Sequence, residues 1–210
     1  MRSPHQSALL RTYAAPPGRA WPRGVGGLAR VLVAAGLTLL GLAAAVVLSR
    51  AQNGPTEYEV KAALLYNFGV FTEWPASAFE GPASPFVVGV VGDNPFGDAL
   101  AHTLAGKRIG AHPVALRLFR RPEDVSDCHI LFVAASERSR LDRVRAALGD
   151  APTLTVGDMD GFADGPGMIG LSLEGGRVRM AVNRANVARA HLVISSRLLA
   201  LARIVDGDRP

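Results

Sequence analysis

FVVGVVGDNP, residues 86–95, is an unbroken apolar run that stops at a turn. Five β-formers around one glycine, without polar alternation, suit a strand covered on both faces. Gly92, Asp93, Asn94 and Pro95 then turn the chain into a helix, with Asn94 as its cap and Pro95 at its first position. Leu100 and Leu104 carry that helix to Gly106. The unit is therefore strand, tight turn, helix.

The same grammar extends outward. Residues 114–119 (VALRLF) alternate and predict a strand. Residues 128–134 (CHILFVA) and 153–156 are further strands of the buried type. Between them, residues 136–148 predict an arginine-rich helix with Leu141, Val144 and Leu148 on one face. Residues 168–173 and 177–182 flank Glu174-Gly175-Gly176, a hairpin signal. Residues 183–190 and 196–205 read as two closing helices, with Ser195 and Ser196 as caps. Upstream, Thr56-Glu57-Tyr58-Glu59 has capping-box spacing. Val60, Leu64, Phe68, Phe71 and Trp74 then follow near helical period, and Pro75 ends the helix near Glu73. Alternating β and α elements predict an α/β fold with helices on both faces of the sheet, a Rossmann-like three-layer sandwich. The glycine hairpin makes the sheet mixed.

Residues 1–51 have a different character. They contain Arg2, Arg11, Arg19, Arg23, Arg30 and Arg50 and no acid. An apolar run fills residues 31–48, and Ser49 and Ala51 supply small residues for a cleavage site. This is the make-up of a secretory signal, with an uncleaved N-terminal membrane anchor as the alternative. Either way the remainder is exported to the periplasm, because arginines stay on the cytoplasmic side. Residues 52–205 then form one domain, and residues 206–210 a polar tail.

The leader also accounts for the charge. The chain has 23 basic and 18 acidic side chains. Without residues 1–51 there are 17 basic and 18 acidic, a net charge of −1. A basic domain is the footprint of nucleic-acid binding, and that footprint is gone. Cys128 is the sole cysteine, so an internal disulfide is excluded and packing must hold the domain together.

Catalytic signatures are missing from the sequence. The turn at Gly92 is neither G-x-G-x-x-G nor a Walker loop, and no G-x-S-x-G elbow occurs. His102, His112, His129 and His191 lack ligand spacing and read as scattered structural residues. Asp158, Asp160 and Asp164 miss EF-hand spacing, because Phe162 stands where an oxygen ligand belongs. That loop reads as a solvated turn. Cys128 reads as a small core hydrophobe. Phe162, in a Gly/Pro-rich loop, is either a core plug or an exposed anchor for a partner. No cofactor or metal is implied.

Five strings in order carry a resemblance: EYEVKAALLYNFGVFTEWP, PFVVGVVGDNPFG, CHILFVAASE, LTVGDMDGFADGPGMIGLSLEGGRVRMAVN and ISSRLLALARIV. Together they resemble the YfiR-like periplasmic family, from about Glu57 to Val205. The resemblance implies a non-enzymatic periplasmic regulator with an α/β sandwich fold that tends to dimerise. It implies that the protein restrains an inner-membrane diguanylate cyclase by contacting its periplasmic sensor portion. It also implies a second partner, an outer-membrane peptidoglycan-binding lipoprotein. The partner-facing residues it implies are Phe162, Glu174 and Met180, although Met180 stands where Ile or Phe is more familiar. His191 stands where a small residue, often Gly, ends the helix. Family disulfides have no counterpart here.

A second expectation follows from the fold alone: a small-molecule sensor or carrier. Open α/β sheets bind ligands beyond the carboxyl ends of their strands. That places Asp93, Asn94 and Ser136 as candidate ligand contacts.

Overall fold

The structure is a computed structural model that describes residues 54–205; the leader, its cleavage point and the tail lie outside the described residues. Among the described residues, no helix is long and apolar enough to cross a membrane.

The capping box forms as expected. The Thr56 hydroxyl accepts from the Glu59 N–H at 3.3 Å, and the Glu59 carboxylate accepts from the Thr56 N–H at 2.6 Å. Helix α1 (Glu57–Val70) follows. Its buried residues are Lys61, Ala62, Leu65, Phe68 and Gly69, one residue away from much of the stripe the periodicity marks. The helix is apolar over most of its circumference, so the pattern alone does not fix which face turns inward. It also ends three residues before Glu73. Thr72–Glu73 (β1) pairs antiparallel with Val193–Ile194 (β9), and extended pairing displaces the last helical turn.

The main sheet contains β2 (Phe86–Val91), β3 (Arg108–Ile109), β4 (His112–Phe119), β5 (Ile130–Val133), β6 (Leu154–Gly157), β7 (Ile169–Glu174), β8 (Arg177–Asn183) and β10 (Arg203–Val205). Their order is β10-β8-β7-β6-β5-β2-β4-β3. β4, β2, β5, β6 and β7 run parallel. β3, β8 and β10 run against them, β10 lying parallel to β8, so the sheet is mixed, as the hairpin predicted. The chain runs from β2 out to β4, then returns past β2 to β5, β6 and β7. This is a doubly wound order, and its switch point lies between β2 and β5.

Both faces are covered. On the first, α1 and α2 (Ala99–Leu104) bury Leu65, Phe68, Leu100 and Leu104 against Phe86, Val88, Val90, Ile130 and Phe132. On the second, α3 (Leu141–Leu148) brings Val144, Leu141 and Leu148 against Val87, Val91, Leu131 and Val133. Beyond α3, residues 158–168 cross that face without a helix, and Phe162 fills the space. Strand alternation puts successive residues on opposite faces, so two separate apolar cores need the continuous apolar runs seen in β2 and β5.

Three expectations change. Asn94 does not cap α2; its Oδ1 accepts from the Phe96 N–H at 3.0 Å and closes the turn before the helix. Residues 135–140 form 3₁₀ turns rather than the start of a long helix. Residues 196–205 divide into a short helix, α5 (Ser196–Leu199), and strand β10 beside β8. Rather than continuing the helix, Arg203, Ile204 and Val205 complete the hydrogen bonding along the open side of β8. Ser195 caps α5 as expected, with Ser196 as its first residue, and Asn183 caps α4 (Arg184–Arg189).

Candidate functional site

The switch point brings Asp93, Asn94 and Ser136 together. The Ser136 hydroxyl accepts from the Asp93 N–H at 2.9 Å, which ties the loop after β2 to the loop after β5. The crevice between them holds Glu137, which is 1% exposed. Its Oε1 accepts from Arg140 at 2.8 Å, while its Oε2 is buried without a partner. Gly92 makes room for this side chain. It has φ +91°, and a Cβ there would lie 2.8 Å from Glu137 Cγ. The three candidate ligand contacts are thus assembled, and Asp93 and Ser136 already satisfy each other. Charged Glu137 occupies the space where doubly wound proteins seat a ligand.

Phe162 and Met180 lie in different cores. Phe162 is 4% exposed and packs in the core of the second face. Gly157 and Gly167 are bare so that its ring can lie flat: a Cβ on Gly157 would stand 2.9 Å from the ring. The ring also borders a groove of about 250 Å³ with Val144, Leu148, Arg145 and Arg189. Met180 is buried in the first core, opposite Leu171. Glu174 is exposed at the hairpin tip and accepts from the Ser172 hydroxyl at 3.0 Å. It alternates in register with Gly170, which touches Ala163 beside Phe162. Glu174 therefore belongs to the Phe162 side of the sheet, and Met180 to the other.

The acidic loop is a fastening as well as a turn. Asp158 accepts from the Lys61 ammonium at 2.7 Å and from the Tyr58 hydroxyl at 2.9 Å. Lys61 also pairs with Glu57 and lies 4.5 Å over the Tyr58 ring. Burial pushes the Tyr58 hydroxyl above its usual range, reinforced by the Asp158 carboxylate. For Lys61, burial acts downward, but hydrogen bonds to Asp158 and Glu57 outweigh it and raise the ammonium. Both the tyrosine and the lysine are held more firmly protonated, and the cluster joins α1 to the carboxyl end of β6. Ninety-seven residues separate Lys61 from Asp158, and no local spacing announces the pair. Asp164 is taken by Arg203 at 3.2 Å, linking the loop to β10.

At the opposite, amino-terminal end of the sheet, two histidines read as scattered share one column. Phe79 stacks on His112 with centroids 4.0 Å apart, and on His129 at 4.6 Å. His129 stacks in turn on Phe86 at 4.6 Å, and Trp74 closes the column edge-on at 4.9 Å from Phe86. His112 Nδ1 donates to the Ser84 carbonyl at 2.7 Å. His129 Nδ1 accepts from the Val87 N–H at 3.1 Å, which leaves its proton on Nε2. That Nε2 and the Trp74 Nε1 are buried without partners. Burial lowers the His129 imidazole below its ordinary value. Below the column lies a cavity of about 360 Å³ bordered by residues 77–80, Arg117, Asp127, Cys128 and Thr153. Cys128 is buried, as its sequence position suggests, and desolvation pushes its thiol up to about 12. Phe79 lies 33 residues before His112 and 50 before His129 in sequence, which hides the column from any local motif.

A family model described as YfiR/HmsC-like matches residues 58–203. No curated protein matches the chain.

Proposed function

The chain belongs to the YfiR/HmsC-like family, and we propose that it restrains an inner-membrane diguanylate cyclase through protein–protein contact in the periplasm. The family consists of periplasmic regulators of diguanylate cyclase signalling rather than enzymes. The family match across nearly all of the described domain is the single observation that carries the reading. The mechanism is a population shift: the regulator binds one conformation of the cyclase's sensor portion more tightly and biases the enzyme toward inactivity. An outer-membrane peptidoglycan-binding lipoprotein competes for the regulator, and the regulator acts as a dimer.

Glu174 supplies the direct contact in this reading, because it is exposed at a hairpin tip. Phe162 contributes by shaping the groove and loop around it, and Met180 by supporting the hairpin from the other face. Deleting the gene should raise cellular cyclic-di-GMP and surface attachment; unchanged levels under several growth conditions would overturn the proposal. In a pull-down with the cyclase's periplasmic portion, Glu174→Ala should fold normally and lose binding. Full binding by that variant would remove Glu174 from the contact surface.

A further inference from the structure

We propose that the segment of residues 74–85 is an acid-released strap, latched by the stacked column of Phe79 between His112 and His129, which opens the cavity beside Cys128 when His129 takes up a proton.

The strap crosses the amino-terminal end of the sheet, from β1 to β2. It contains one short turn, Ala76–Ala78, and no buried residue in that turn. Three kinds of contact hold it down, the first being the edge-on packing of Trp74 against Phe86 and His129. Phe79 stacks between the imidazoles of β4 and of the lead into β5. The Ser84 carbonyl accepts from His112. The strap in turn lines the cavity through Ser77, Ala78, Phe79, Glu80 and Ser84, and Cys128 and Thr153 line it too. Without the strap, Cys128 loses its cover on that side.

The two histidines respond differently to acid. His112 uses Nδ1 as a donor, so a second proton on Nε2 leaves that bond intact. His129 uses Nδ1 as an acceptor from the Val87 N–H. A proton there sets two donors against each other at the first residues of the central strand, and leaves both unsatisfied in a buried site. A charged ring between Phe79 and Phe86 gains some cation–π attraction. Burying an unpaired charge costs more than that attraction returns. The charged and titratable neighbours do not alter this. Glu80 comes from the strap, His112 and Arg117 from β4, Asp127 and Cys128 from the lead into β5, and α3 and β6 contribute no charged residue to the cavity wall. None of these side chains hydrogen-bonds to the His129 ring; the backbone of Ala78, in the strap itself, favours the charged ring, but burial outweighs it. Moving the strap is the cheapest relief, because it exposes the ring to water while the sheet behind it stays paired. The downward direction of the His129 imidazole agrees, since it marks the neutral ring as the form the closed strap favours.

The test reads Cys128 through 4,4′-dithiodipyridine, which reports thiols at acid pH, with rates normalised to free cysteine at each pH. Exported-domain protein should label at least tenfold faster at pH 5.0 than at pH 7.5, with unchanged far-UV circular dichroism. His129→Gln keeps an acceptor for the Val87 N–H but does not titrate, and should lose the acceleration. His112→Gln should keep it. Hydrogen exchange on the unmodified protein gives a second reading that needs no variant. The amides of Ala78 and Phe79, corrected for intrinsic rates, should lose protection at pH 5.0 while those of β6 keep it. Equal labelling at both pH values, acceleration that survives in His129→Gln, or loss of the dichroism signal together with labelling would each overturn the proposal.

Discussion

Lys61 is 2% exposed on a helix whose other buried residues are Ala62, Leu65, Phe68 and Gly69. Its charge is tolerated because Asp158 and Glu57 both meet it. Replacing Lys61 with Met leaves Asp158 buried with the Tyr58 hydroxyl but no opposite charge, which costs about 3–5 kcal/mol; urea unfolding of the variant checks this. The raised ammonium also sets an alkaline limit. The folded state keeps that proton to higher pH than the unfolded chain, so the contribution is complete below about pH 10.5 and is lost as pH climbs through the raised value. Unfolding midpoints at pH 8 and pH 11 should differ, and the difference should shrink in Lys61→Met. His191 shows the opposite economy. It has φ +56° and follows α4 where a glycine is the ordinary choice. The turn survives: the Leu192 N–H reaches the Val187 carbonyl at 3.2 Å. A left-handed L-residue costs roughly 1–2 kcal/mol, and glycine returns part of this through its freer unfolded chain. His191→Gly should therefore stabilise the domain by about 0.5 kcal/mol, measured by the shift in urea midpoint.

At the scale of elements, the apolar runs were legible and the crossings between them were not. Residues 86–91 become β2 without revision, because six buried positions in a row leave no other use for that sequence. Residues 203–205 look helical beside Leu198 and Leu199, yet pair with β8, since the outer side of β8 offers unpaired backbone groups. The 158–168 crossing is the element that depends most on close fit. Gly157 and Gly167 both face the Phe162 ring with no spare room. Gly167→Ala should cost about 1–3 kcal/mol through overpacking. Phe162→Ala should cost about 3–5 kcal/mol through the cavity it leaves. Thermal unfolding checks both, and it also separates lost folding from lost partner binding in any study of Phe162.

For the molecule as a whole, one cysteine and two apolar cores mean that the fold owes nothing to redox state. The melting temperature should be the same with and without reductant, and at pH 8 native Cys128 should resist thiol reagents because its thiol is pushed up to about 12. Calorimetry and a labelling time course measure these two outcomes. The candidate site was legible only in pieces. Asp93, Asn94 and Ser136 were found because turns follow strands, but Glu137, which fills their crevice, sits one residue further on and looks like an ordinary surface acid. Phe162, Glu174 and Met180 came as a set from resemblance, and strand alternation then places Met180 behind the sheet from the other two. By itself the sequence determined the compartment expectation, the near-neutral charge outside residues 1–51, the order of the central strands β2, β4, β5, β6, β7 and β8, and the family, since each follows from composition, local periodicity or motif order. Only the tertiary structure decided which sides of α1 are buried, that Lys61 meets Asp158, and that Phe79 lies between His112 and His129. Those contacts join residues far apart in the chain, and their energies depend on burial and geometry that exist only once the sheet has formed.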